Sequence, residues 1–208
     1  MSDQPAAGED VFSEDDLGPS AHDIHQARRR LGERIATAIA ATCCGVWAGG
    51  LIALGACAAP LVFELTPYPH SGNAMTAVFA RFDSIAVGLA VVVLGCEAAR
   101  TLLAWRGGQL LAARIRRYLA ILAALGAVFS ATRLTPAIQS LYSRGARRGF
   151  GEAGRQFEAL HAQSEMIGKA TVVIAVVLIF LHISTLQKGQ DEEADEAPTP
   201  LPPGGRLP

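Results

Sequence analysis

Between Ile35 and Phe63 this sequence has no residue that carries a formal charge. A helix needs only about 20 consecutive apolar residues to cross the ~30 Å hydrocarbon core of a bilayer, at ~1.5 Å rise per residue. An uncharged run of this length reads as a membrane span, and three more apolar runs follow it. Aromatic residues are scarce as well, at 6% of the chain against 50% hydrophobic residues overall. The apolar content therefore rests on Ala, Gly, Val and Leu rather than on large rings. Basic residues are missing from the first 20 positions, which instead carry Asp3, Glu9, Asp10, Glu14, Asp15 and Asp16. A secretory signal opens with a basic stretch and has an apolar run of only about 7–15 residues. The 35–63 run is accordingly expected to be a retained transmembrane helix.

With a formal net charge of −1, nucleic-acid binding has no general electrostatic basis. The four cysteines, Cys43, Cys44, Cys57 and Cys96, all lie in apolar runs, and no pair has the C-x-x-C spacing of a zinc or dithiol site. They read as small packing residues. No nucleophile elbow, P-loop lysine motif or HExxH is present. Gly149-Phe-Gly151-Glu-Ala-Gly154 matches GxGxxG literally, but no strand precedes it and no βαβ unit surrounds it, so it reads as a loop.

The resulting expectation is an all-α integral membrane four-helix bundle. Residues 1–25 form a disordered acidic segment, 26–188 the transmembrane domain with helices at about 35–63, 75–105, 111–139 and 156–187, and 189–208 a disordered acidic, Pro-rich tail. Pro60 and Pro67 are expected to end the first helix. Arginines collect before it (Arg28, Arg29, Arg30, Arg34) and between the second and third helices (Arg100, Arg106, Arg114, Arg116, Arg117). With only Arg81 in the first connection, that bias favours both termini in the cytoplasm of a cell (inner) membrane, against the opposing count of Arg144, Arg147, Arg148 and Arg155 in the third connection.

Two helix faces stand out. On the first helix Ala41, Gly45, Gly49, Ala53 and Cys57 recur every four residues, beside Trp47, Gly50 and Pro60. Such a small-residue ridge permits close backbone approach, within the monomer first and between copies second. On the second helix Asp83, Ala86, Ala90, Val93, Glu97 and Arg100 share a stripe. On the fourth, Glu158, His161, Glu165, Gly168, Val172, Ala175, Ile179 and His182 do the same. Ionisable groups on the same face as small residues mark a bundle interior, and intramembrane charges are functional candidates because burying them is costly. Asp83, Glu97, Arg133, His161 and Glu165 are therefore the expected polar internal face. The structural alternative pairs Asp83 or Glu165 with Arg133. Glu158, His161 and Glu165 on one helical face, with His182 farther on, are weak metal candidates: di-metal bundles require two Glu-x-x-His motifs, and one is found.

Trp47-Ala48-Gly49-Gly50, Ala59-Pro60-Leu61-Val62-Phe63, Val78-Phe79-Ala80-Arg81-Phe82-Asp83, Leu134-Thr135-Pro136-Ala137-Ile138 and Phe157-Glu158-Ala159-Leu160-His161-Ala162-Gln163-Ser164 together resemble the transmembrane-protein-205-like (DUF4149-type) domain of unknown function, over roughly residues 35–186. The resemblance implies a four-helix membrane domain. A eukaryotic member is associated with resistance to platinum drugs, which implies handling or tolerance of a small solute or metal species. The first helix is also similar to CopD-like and membrane protoporphyrinogen-oxidase-like proteins, which place a histidine near its start for haem or copper. Here no histidine occurs between His25 and His70. No enzymatic activity and no cofactor are expected. The alternatives are a redox protein holding metal or haem, and a structural assembly partner acting through the helix-one ridge as a homo-oligomer or with another membrane protein.

Overall fold

The computed structural model describes residues 20–67, 69–103, 111–147 and 149–196, with side chains through Thr185. Residues 1–19 of the expected 1–25 segment, the connection 104–110 and residues 197–208 of the expected 189–208 tail lie outside the described residues, whereas 21–25 and 189–196 are helical rather than disordered. Among the described residues there is no strand, and four helices are long and apolar enough to cross a membrane. They are α1 (Ala21–Leu65), α2 (His70–Leu103), α3 (Leu111–Ser143) and α4 (Gly151–Glu196). Each packs against two neighbours: α1 against α2 and α4, and α3 against α2 and α4. This is a four-cornered, up-and-down bundle.

The helices are longer than the apolar runs. α1 starts at Ala21 rather than near 35, because Ser20 and Asp23 form a capping box: Asp23 N–H donates to Ser20 Oγ at 3.2 Å and Ser20 N–H to Asp23 Oδ2 at 3.0 Å. Ala, Arg, Leu and Glu between this cap and Ile35 are good helix formers, so the basic collar is an extension of the helix. α4 likewise begins at Gly151 and its backbone stays helical to Glu196, past the expected exit at 187. Gly149 and Gly151, at φ 79° and 66°, make the left-handed turn that launches it. The GxGxxG sequence is thus a turn and a helix start.

Pro60 does not end α1. The helix widens into a π-segment over Ala53–Ala58 and resumes at Ala59. A second π-segment, Ser130–Leu134, precedes Pro136 in α3. Proline has no N–H to offer the carbonyl four residues back and its ring crowds that carbonyl. Those carbonyls belong to Ala56 and Thr132, each inside a π-segment, where wider turns accommodate the mismatch.

The core is built from small side chains, among them Ala40, Cys44 and Ala48 on α1, Ala86 and Ala90 on α2, Ala120 and Ala123 on α3, and Ala175 on α4. The Ala41–Cys57 ridge is not the face that packs within the monomer. Gly45, Gly49, Ala53 and Cys57 are exposed, and a Cβ on Gly45 or Gly49 would meet nothing within 4 Å. The ridge that does pack is one position removed: Ala36, Ala40, Cys44 and Ala48 have the same four-residue spacing and are all buried. Gly50 and Trp47 do serve packing. Trp47 is 3% exposed, and a Cβ on Gly50 would run into the Phe82 ring of α2.

These placements separate two neighbouring glycines. Gly50→Leu should overpack the α1–α2 contact and destabilise the protein by about 1–3 kcal/mol, with Phe82→Ala recovering part of the loss. Gly49→Leu should leave thermal unfolding in detergent unchanged. Equal effects of the two substitutions would contradict this assignment of faces.

Candidate functional site

The polar side chains inside the bundle fall into two groups at opposite ends. The first lies toward the helix termini and the α2–α3 connection. The α2 stripe buries Glu97 to 3% exposure, and α3 presents Arg116, 5% exposed, on the same stripe as its buried alanines 120, 123 and 127. Arg116 Nε donates to Glu97 Oε1 at 2.6 Å. Arg100 Nη1 stands 3.7 Å from the same oxygen and donates to His182 Nδ1 at 2.9 Å, while its Nη2 donates to Thr185 Oγ1 at 3.3 Å. Because Nδ1 accepts, the neutral ring carries its proton on Nε2. That Nε2 and Glu97 Oε2 have no hydrogen-bond partner among the described residues, and Nε2 lies 3.7 Å from Glu97 Oε1. Glu97, Arg116, Arg100 and His182 thus tie together α2, α3 and α4 where water is scarce.

The second group lines a cavity of about 1630 Å³ at the other end of the bundle. Its walls are the π-segment and upper turns of α1, the first half of α2, α3 from Gly126 to Tyr142, and α4 from Phe157 to Val173. Asp83 is half-buried in this wall, and Thr135, the residue directly after the α3 π-segment, donates its hydroxyl to Asp83 Oδ2 at 2.5 Å. Tyr142 closes the end of the cavity: its hydroxyl donates to the Pro69 carbonyl at 2.8 Å and its ring occupies the space a Gly72 side chain would need. Trp47, Phe79, Phe82 and Phe157 supply aromatic surface.

The five residues expected on one polar face are therefore divided. Asp83, His161 and Glu165 line the cavity; Glu97 belongs to the other cluster. Arg133 is exposed and does not line the cavity, which corrects its placement inside the bundle and its pairing with Asp83 or Glu165. Thr135 takes the Asp83 carboxylate instead, and Glu165 Oε1 binds Lys169 Nζ at 2.7 Å, one helical turn on. His161 is half-buried with its ring stacked on Phe157, centroids 6.3 Å apart, and Glu158 is exposed. Among the described residues no group of three His, Cys, Asp or Glu side chains is arranged to hold a metal ion. His182 is fully buried against Arg100, so the candidate metal ligands do not converge.

Thr135, Lys169 and Arg116 are not among the polar residues that the sequence pattern singles out. For Arg116 a signal exists: it precedes Ala120, Ala123 and Ala127 at helical spacing, although its charge places it with the basic connection. For Thr135 no signal exists, because a π-segment intervenes.

This arrangement defines a multi-pass, all-helical membrane protein with a sealed ionic cluster at one end and an open, largely apolar cavity at the other. The chain belongs to the family described as a domain of unknown function, DUF4149, which matches residues 42–147, about half of its length. Comparisons with curated proteins and with solved structures gave no match.

The ionic cluster should behave as a structural unit. Arg116→Met leaves Glu97 buried without its closest cation and should cost roughly 3–5 kcal/mol. Arg116→Met combined with Glu97→Met should cost markedly less than the sum of the single changes, as read by thermal unfolding in detergent. Additive losses would mean that the two side chains do not depend on each other.

Proposed function

We propose that the protein is a non-enzymatic membrane protein that binds and handles a small amphipathic solute in the cavity around Asp83. The carrying observation is the cavity itself: apolar and aromatic walls with one half-buried carboxylate, fixed by Thr135, in the membrane-embedded part of the fold. Binding sites for small molecules have this make-up, apolar surface with a few placed polar groups. The likeness to transmembrane-protein-205-like proteins supports a role in tolerance or movement of a solute. The likeness to CopD-like proteins would route function through histidines bound to copper or haem. The donor set does not fit such a group, since His182 is held by Arg100 and His161 stacks on Phe157. No cofactor is part of the proposal.

We place the protein in the cell (inner) membrane with both termini in the cytoplasm. The arginines before α1 and around the α2–α3 connection support this orientation, and the cavity then lies toward the opposite face. The bilayer is its solvent, and nucleic acid is not a partner.

Solute handling predicts different fates for the two buried acids. Asp83→Asn should change cellular tolerance of amphipathic solutes at unchanged protein abundance. Glu97→Gln should lower abundance and tolerance together, because it weakens the ionic cluster. If Asp83→Asn also lowers abundance in step with tolerance, the cavity carboxylate is structural and the proposal fails.

A second reading, assembly between copies, is favoured by one observation: Gly45 and Gly49 face outward with open space before them. Without a hydrophobic drive between helices in lipid, such a surface supplies close van der Waals contact. Gly45→Ile with Gly49→Ile should abolish cross-linked dimers in membranes and leave the folded monomer intact. Persistence of the dimers would remove this reading.

A further inference from the structure

We propose that the cavity takes an amphipathic organic cation, with Asp83 as its counter-charge; this rests on the solute-binding reading above and narrows it to a chemical class. Among the described residues Asp83 has no Lys or Arg ion pair, and its hydrogen-bond donor is a neutral hydroxyl, Thr135 Oγ1. The cation expected for it, Arg133, is exposed and not part of the lining. The other charges around the cavity do not neutralise it. Glu165 is bonded to Lys169, so that pair cancels, and Glu64 on α1 adds another carboxylate. Arg147 lies at the loop end of the lining and has its own partner.

A carboxylate away from bulk water is stabilised by an opposite charge and opposed by an anion. A neutral solute would cover Asp83 without compensating it. The walls add a second preference of the same sign, because Phe79, Phe82 and Phe157 line the cavity and an aromatic ring attracts a cation that reaches its face. The cavity, about 1630 Å³, exceeds the roughly 300–1,000 Å³ of ordinary drug-sized sites. It has room for bulky apolar substituents around the charged centre, and inorganic cations would use neither the rings nor the volume. The occupant is therefore a single positive charge within a large apolar body.

The test is equilibrium dialysis on the full chain in detergent and in nanodiscs, with two probes of matched size and opposite charge, tetraphenylphosphonium and tetraphenylborate, and Nile red as a neutral probe. The cation should bind saturably and the anion should not. Asp83→Asn should weaken cation binding roughly tenfold or more, and Asp83→Glu should keep it. Gly168→Phe should fill the cavity and weaken both cation and Nile red, since the Gly168 Cβ position is open space within the lining. Should Asp83→Asn fail to fold, the wild-type cation-to-anion ratio and Gly168→Phe decide alone. Anion binding as tight as cation binding overturns the charge assignment. Nile red binding that Gly168→Phe abolishes, without any cation preference, leaves the solute site standing and removes the cation. No probe responding to Gly168→Phe removes both.

Discussion

A carboxylate that is 3% exposed on a transmembrane helix has no water to solvate it, and its charge must be met by the protein. Glu97 is met by Arg116, and that single pair fixes the rotation of α2 against α3. Everything one turn away follows from it. With Glu97 inward, Val93, Ala90 and Ala86 are inward too, at the three- and four-residue steps of a helix. With Arg116 inward, so are Ala120, Ala123 and Ala127. Arg100 extends the network to His182 and Thr185, which fixes α4 to the same end of the bundle. In lipid the helices gain nothing hydrophobic by associating, so charge pairing and close alanine packing take over the work of holding them together.

The opposite end is shaped by proline. Pro60 and Pro136 sit on α1 and α3, corners of the bundle that do not touch, and each is preceded by a π-segment. A π-turn adds a residue without adding a full turn, so side chains beyond it are rotated relative to those before it. On α3 this brings Thr135 to Asp83; on α1 it leads into upper turns that form one wall of the cavity. The opening is therefore encoded as much in two missing N–H groups as in the residues that line it.

The same physics explains which parts were legible in the sequence. Four spans are legible because charge-free length is the strongest signal a chain can give about a bilayer. The α2 stripe from Asp83 to Arg100 is legible because it contains no proline and keeps one period throughout, and the structure buries its middle as that period requires. The face of α1 is not legible from spacing alone. Two ridges of small residues, Ala36–Ala48 and Ala41–Cys57, run side by side at the same interval, and only the partners' surfaces choose between them. Arg133 was lost for another reason: it lies within a π-segment, where counting at 3.6 residues per turn no longer assigns a face. The first helix ends at Leu65, just before Pro67 as its prolines lead one to expect, but it passes Pro60, since a helix in lipid meets a high cost for leaving backbone groups open and widens instead of ending. The α4 stripe was right at Ala175 and His182, whereas its early members, Glu158 and Glu165, are exposed.

The two ends of the bundle also divide the purposes of its buried charge. At the terminal end, carboxylate and guanidinium are in contact, nearly solvent-free and spread over three helices, so moving any one of them breaks a network. At the cavity end, Asp83 is half-exposed, has a hydroxyl rather than a cation for a partner, and faces open volume. Burial with a counter-charge in contact is what a structural charge requires, and Arg116 supplies it at Glu97 Oε1 although Oε2 has no hydrogen-bond partner among the described residues. Partial burial in a cavity wall, with a hydroxyl and no Lys or Arg in contact, is what the proposed solute site requires of Asp83. On the proposed reading the ionic cluster matters to the cavity as well, because a carboxylate discriminates between solutes only if the frame around it does not collapse onto it. Glu97 and Asp83 lie fourteen residues apart on one helical stripe, about 21 Å along the axis, and the difference in what faces them separates the strut of this membrane domain from its proposed site.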